Sequence, residues 1–390
     1  MKKIKLTALL SACIQLSVFA QDGGVFQGSD YLDNLNTIST SVPFLLIAPD
    51  SRAGAMGDVG AATSPDHNSI HWNASKFAFI EDDRGVSLSY TPWLQDLVPE
   101  ISLSYLSGFK RLNSRSTIAG SLRYFSLGEI QFTDGQGNQL STFNPNEFTL
   151  DAAYAMKLSK NFSSGLAMRY IYSNLTGGIQ VPGELAVTKP GQSFAVDLSS
   201  YFQSNTFDID DKEAYFALGL NLSNIGNKIS YTDGSEEFFL PSNGRLGANL
   251  FMELDDYNTI SFAFDVNKLL VPTPNEDDTL ANIGVLQGVF QSFSDAPGGF
   301  QEELNEIMYS IGAEYWYMNQ FAFRGGYFHE HETKGARKYF TLGVGLKMNV
   351  FSLDMAFLLP ATRGIRSPLA NTLRFTLLFD MAALYGTNNE

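Results

Sequence analysis

Ile260-Ser261-Phe262-Ala263-Phe264-Asp265-Val266 is the stretch from which the fold is read. Ile260, Phe262, Phe264 and Val266 share one face of an extended strand, while Ser261, Ala263 and Asp265 take the other. Period-two patterning means one apolar face and one wet face. The pattern recurs along the chain. Phe340, Leu342, Val344 and Leu346 alternate with Tyr339, Thr341, Gly343, Gly345 and Lys347. Leu373, Phe375, Leu377 and Phe379 alternate with Thr372, Arg374, Thr376 and Asp380.

Working outward gives fourteen amphipathic strands, at 84–91, 100–109, 115–126, 146–158, 161–174, 192–203, 213–224, 243–254, 257–267, 306–318, 320–329, 337–348, 351–359 and 371–380. A tilted strand needs roughly 9–11 residues to cross the hydrocarbon core of a bilayer, and these cluster near that length. The connections at 110–114, 159–160, 204–212, 255–256, 319 and 349–350 are short. Those at 92–99, 127–145, 175–191, 225–242, 268–305, 330–336 and 360–370 are mostly long. Short periplasmic turns, longer outside loops and an even strand count characterise bacterial outer-membrane barrels. The 31 Phe and 17 Tyr, many at or near strand ends, suit interfacial girdles. A soluble sandwich or barrel would also alternate, with its apolar face turned inward, so periodicity alone leaves that reading open. The expected fold is all-β: a 14-stranded antiparallel transmembrane β-barrel over 84–380, behind an N-terminal arm and lumenal hatch over 21–83.

The ends of the chain agree with export. Lys2, Lys3 and Lys5, the apolar stretch Leu6 to Val18 and the site Val18-Phe19-Ala20 read as a signal peptide over 1–20. Leu10-Ser11-Ala12-Cys13 is a competing lipoprotein box. Cleavage after Ala20 removes Cys13, the only cysteine, and with it all disulfide and thiol chemistry. No later run approaches the eighteen apolar residues of a spanning helix, so insertion in the outer membrane falls to the barrel. Residues 381–390 form a short periplasmic tail.

Removing Lys2, Lys3 and Lys5 takes 26 basic residues to 23 against 41 acidic ones, a balance of about −18. That argues against nucleic-acid binding, which needs a basic face. The acids gather in connections: Asp208, Asp210 and Asp211; Glu236 and Glu237; Asp255 and Asp256; Glu276, Asp277 and Asp278. Solvated loops explain them most simply; divalent-cation bridging to anionic surface lipid is the sharper alternative.

Residues 41–80 differ from the strands. Ser51, Arg52, Gly54, Met56 and Gly57 open a compact, Gly-rich run, followed by Asn68, Ser69, Trp72 and Asn73. Small residues let backbone pack on backbone. Such a segment ahead of the first strand suits a plug, its Asn and Ser groups meeting inward-facing strand residues. The alternative is a disordered arm, which the apolar Val42, Phe44, Leu45, Leu46 and Ile47 oppose. Gly54, Gly57 and Gly60 recur at threes, yet no Lys-Ser/Thr follows, so a phosphate loop is dismissed.

The stretch SRAGAMGDVGAATSPDHNSIHWNASKFAF (51–79) resembles the hatch signature of the PorV (LptO) family, outer-membrane components of the Bacteroidota type IX secretion system. That family sits among the FadL-like fourteen-stranded barrels. The chain has Asn73-Ala74-Ser75 where the broader FadL family carries Asn-Pro-Ala, which points away from free fatty-acid transport. The resemblance implies a non-enzymatic role. Members bind the C-terminal signal domains of exported cargo, collect it from the large translocon barrel and deliver it to a sortase complex that attaches it to lipopolysaccharide. The competing readings are a FadL-type channel for hydrophobic small molecules and a structural or adhesive barrel.

The longest outside connection, 268–305, holds Leu280, Ile283, Val285, Leu286, Val289, Phe290 and Phe293 near one face of a short helix. An apolar stripe there suggests a protein partner; packing as a lid over the barrel mouth is the equal alternative. No catalytic, metal or cofactor site is expected. His329-Glu330-His331 lacks the further ligand zinc requires, and His67 and His71 lack the glutamate of a helical zinc motif. No G-x-S-x-G elbow occurs.

Overall fold

An apolar face that points outward is stable only in lipid, whereas one that points inward builds a soluble core. The quoted stretch distinguishes the two cases: Phe262 and Phe264 are 47% and 45% exposed, while Ala263 and Asp265 are 4% and 0% exposed. The same inversion runs round the sheet. Leu88, Leu122, Leu150, Leu198, Phe323 and Leu342 are exposed. Ser87, Ser89, Thr149, Ser199, Arg324 and Thr341 are buried. The wet face of each strand lines a filled lumen and the apolar face meets the bilayer.

The computed structural model describes residues 36–94, 98, 100–133, 139–175, 177, 188–232, 237–274, 283–361 and 372–381. The expected signal peptide over 1–20, the rest of the chain up to residue 35, Leu280, the loop acids Glu236, Glu276, Asp277 and Asp278, and the residues after Met381 lie outside them.

The strands are β1 (Arg84–Pro92), β2 (Ser102–Arg111), β3 (Ser116–Ser126), β4 (Ile130–Thr133), β5 (Gln139–Phe143), β6 (Asn146–Lys157), β7 (Phe162–Asn174), β8 (Gly191–Gln203), β9 (Phe207–Ile209), β10 (Lys212–Gly226), β11 (Asn243–Asp255), β12 (Asn258–Leu269), β13 (Met308–Tyr317), β14 (Phe321–His329), β15 (Lys338–Lys347), β16 (Phe351–Pro360) and β17 (Leu373–Asp380). All of them except β4, β5 and β9 form one antiparallel ring of fourteen strands. The ring closes where β1 pairs with β17, from Gly85↔Asp380 to Tyr90↔Phe375. Closure satisfies the backbone ladder of every spanning strand, which the hydrocarbon interior demands.

Two connections depart from expectation. Residues 127–145, read as a plain loop, contain the hairpin β4–β5, which pairs apart from the barrel with Ile130↔Phe143. The connection 204–212 contains β9, which pairs with the first residues of β10 through Lys212↔Ile209. β8 gives out at Gln203, and β9 covers the stretch of the β10 edge that β8 leaves bare.

Candidate functional site: the hatch and the outer mouth

The segment ahead of β1 runs through the lumen from the long-loop end to the short-turn end. At the loop end, the Asn36 N–H donates to Thr333 O at 3.2 Å and the Ser41 N–H to Phe239 O at 3.0 Å. Val42, Phe44 and Leu45 pack with Ile101, Leu103, Phe125, Ile171, Ile229 and Leu240 as an apolar outer seal. Arg123, inside β3, donates to the carbonyls of Phe44 and Leu45 at 3.3 and 2.9 Å. At the opposite end, the 3-10 turn Ala74–Phe79 places Phe77 5.5 Å from Phe109 and forms a second apolar cluster with Ile70, Ile80 and Tyr105. Thr117 donates to Phe77 O at 2.9 Å and Ser163 to Ser75 O at 2.8 Å.

Between the two seals lies a charged layer. The short helix Ser51–Gly54 is capped by Asp50, which accepts from the Ala53 N–H at 3.0 Å and from the Trp72 indole at 2.6 Å. The Ser51 N–H donates to Thr376 Oγ1 at 2.8 Å. Arg52 meets Glu314 at 2.7 Å and Asp66 at 2.9 Å. Glu314 is shared with Arg324, which also holds Asp354. Arg374 pairs with Asp58 at 3.0 Å, and Tyr339 donates to the same carboxylate at 2.6 Å. Asp265 accepts from the Gly60 and Ala61 N–H groups at 2.8 and 3.0 Å and pairs with Arg245. A buried charge is tolerated when paired and hydrogen-bonded, and removing one partner strands the other at a cost of about 3–5 kcal/mol. The layer therefore fixes the hatch in register with the wall.

The remaining hatch residues singled out in the sequence have equally specific neighbours. Asn68 accepts from Ser107 at 3.0 Å. Ser69 donates to Asp66 at 3.1 Å, and Arg245 lies over the Trp72 ring at 4.9 Å. Asn73 donates to Ala61 O and to Ser200 O at 2.8 and 3.0 Å, and its own oxygen accepts from the Ser75 N–H at 3.1 Å. Gly54 abuts the Arg374 side chain. Met56 packs with Val59 and Ala263. Its backbone lies so close to β13 that a Cβ on Gly312 would come within 2.5 Å of Met56 O. Gly57 has φ +69°, and a Cβ there would lie 2.6 Å from Tyr327 O.

Burial and the nearby Asp66 push the Asp50 carboxyl up to about 6, against the hydrogen bonds from Ala53 and Trp72. Burial pushes the Lys76 ammonium down to about 8, with Asp66 opposing. Lys76 donates to Gly60 O at 2.9 Å and Thr63 Oγ1 at 3.0 Å. His71 is held well below its ordinary range by burial and by Arg123, Arg169 and Arg245. Its Nδ1 lies 2.6 Å from an Arg123 nitrogen. A guanidinium only donates, so Nδ1 accepts and the ring proton sits on Nε2. The small cavity beside it, about 20 Å³ and lined by Leu45, His71, Trp72, Asn221, Asn243 and Arg245, has room for about one water.

The other histidines take ordinary places. His67 packs edge-on against Phe109. His329 contacts Tyr327 at 3.3 Å and His331 contacts Thr333 at 3.0 Å, while Glu330 between them holds Arg337.

At the outer mouth the β12–β13 connection folds as two short helices, Val285–Gln291 and Phe300–Asn305. Gly288 and Ser292 turn toward the barrel, where a Cβ on Gly288 would lie 3.1 Å from Phe239 and Pro272. The opposite side leaves Leu286, Phe290 and Phe293 66%, 75% and 59% exposed. Ile283 and Val289 are half-buried, and Ile283 precedes the helix. Part of the stripe thus faces outward while the helix itself rests on Phe239 and Pro272 through Gly288. Phe300, 78% exposed, lies outside the sequence-derived stripe and adds to the outward apolar surface.

Sequence reasoning placed Asp265, Arg374 and Thr376 on the wet face but did not supply their partners. The three-way pairing of Arg169 with Asp151 and Asp197 was missed altogether, though charges of opposite sign at inward parity in three neighbouring strands are its signal.

A family model described as "Type IX secretion system protein PorV" matches residues 30–276. Among solved structures the chain is similar to a Pseudomonas aeruginosa FadL homologue at 12% identity, covering 89% of this chain and 99% of that one with a TM-score of 0.43. It is similar to the Pseudomonas putida toluene transporter TodX at 10% identity, covering 84% and 96%, with a TM-score of 0.44. A TodX deltaS2S3 mutant, titled a monoaromatic hydrocarbon channel, aligns at 11% identity over 84% and 97% with a TM-score of 0.48. None of the curated proteins matches.

Proposed function

The chain belongs to the PorV family of type IX secretion proteins, and on that footing we propose that it binds the C-terminal signal domains of exported cargo and shuttles them from the translocon to the surface attachment complex. It is an outer-membrane barrel of that secretion system. The role is one of docking and carrying, without catalysis. Its partners are the large translocon barrel, the cargo signal domain, the sortase complex and the lipid or lipopolysaccharide around it.

The observation that carries this reading is the outward stripe of Leu286, Phe290 and Phe293 above a lumen filled by its own hatch. Exposed aromatic clusters are where binding energy concentrates. Two apolar clusters packed by the hatch against the inner wall, with a buried charged layer between them, weigh against passage of apolar small molecules.

Replacing Leu286, Phe290 and Phe293 together by Ser tests the reading. Capture of a purified cargo signal domain by the detergent-solubilised protein is expected to weaken roughly thirtyfold or more, as the loss of one hot spot implies. Barrel insertion, read as a heat-dependent gel shift, stays normal. Equal capture by the variant would reject the stripe as the cargo contact.

A further inference from the structure

The direction in which the hatch threads the lumen has a functional consequence. Asn36 sits among the outer loops: its N–H donates to Thr333 O at 3.2 Å, and its side-chain amide donates to Glu302 at 3.0 Å. Residues 81–83 leave at the other end, where Arg111 donates to Glu81 O at 2.6 Å and its N–H to Asp83 O at 2.8 Å. The hatch therefore begins at the outer mouth and ends at the short-turn rim. Glu302, on the helix Phe300–Asn305, also takes Lys334 at 2.5 Å, so one carboxylate joins the β12–β13 loop, the β14–β15 loop and the start of the hatch. The lower hatch is fastened by the Arg52 and Asp58 ion pairs and by the Gly60 and Ala61 N–H groups donating to Asp265, but residues 36–46 carry no charge of their own. Beyond apolar contact they hold by a few hydrogen bonds.

We propose that residues 36–46 are a strap latched from the cell-surface side by Glu302, and that opening the latch frees this outer seal while the hatch from Asp50 onward stays seated. The latch sits in the same loop as the apolar helix, so what engages that loop can reach the seal. The proposal does not depend on the identity of the bound partner.

Single cysteines test both parts, with the unsubstituted protein as background because Cys13 is the only native cysteine. Thr37→Cys is expected to react with a membrane-impermeant maleimide on intact cells. Asp83→Cys should react only after the outer membrane is permeabilised. The reverse order would overturn the threading. Val42→Cys, fully buried in the latched form, should label slowly, and adding Glu302→Ala should speed it at least about tenfold. Met56→Cys, also buried, should stay slow in the same Glu302→Ala background. An unchanged rate at residue 42 overturns the latch. Equal acceleration at residues 42 and 56 overturns a strap that moves alone. Each variant is first checked for the heat-dependent gel shift that reports an inserted barrel.

Discussion

Lys76 is the residue where burial and charge are most directly opposed. It is fully buried and, among the described residues, makes no direct carboxylate contact; a carbonyl and a hydroxyl accept its hydrogen bonds. Its ammonium titrates near 10.5 in the unfolded chain and near 8 in the seated hatch. The unfolded state therefore binds more protons between those values, so stability rises as pH climbs from 8 to 10.5 and is flat below 8. The span corresponds to roughly 3 kcal/mol. In urea, with Trp72 emission in a Trp93→Phe, Trp316→Phe background reporting hatch release, the midpoint should increase over that window, and Lys76→Met should abolish the slope. Parallel slopes in the two proteins would mean that the charge is solvated in the folded state. Much at this scale was readable beforehand. Parity alone put Asp265 and Arg374 inside, because a strand has only two faces. Parity does not say what they meet: Arg374 finds Asp58, 316 positions away, and only the folded barrel brings that distance to 3.0 Å.

At the scale of elements, the expected strand ends lie within two residues of those found, as for 84–91 against β1 at Arg84–Pro92 and 243–254 against β11 at Asn243–Asp255. Strands that span a bilayer are long and one-sided, so their pattern outlasts local noise. The β4–β5 hairpin was passed over because strands of four and five residues are too short to cross lipid. The hatch was readable as compact and Gly-rich, but its path through the lumen was not, since that path depends on contacts with strands far along the chain. Gly57 shows how tight the fit is. Its φ of +69° is unfavourable for a β-branched residue, and its Cα faces the Tyr327 backbone at a distance that admits no side chain. Gly57→Val is expected to destabilise the seated hatch by about 3 kcal/mol, from backbone strain and the steric conflict together. Amides of residues 50–62 should then exchange faster, with the gel shift of the barrel unchanged. Full protection of those amides in the variant would show that the wall yields instead.

At the scale of the whole molecule, barrel and hatch have separate sources of stability. The ring is held by backbone ladders between neighbouring strands and by an apolar belt in lipid, neither of which involves the hatch. The hatch adds the seals and half of several ion pairs. If it is removed, Arg374 and Asp265 lose partners, but water entering the lumen solvates them, so the low-dielectric penalty does not arise. A fourteen-stranded ring is wide enough that an unfilled lumen becomes a passage. Deleting residues 41–80 should therefore leave a barrel that inserts and shifts on a gel but conducts ions steadily in a planar bilayer, whereas the full chain is silent. Steady conductance from the full chain would mean that the seals leak. Silence from the deleted form would mean that the ring collapses without its filling, and the hatch would then be part of the wall's support instead of a plug within it.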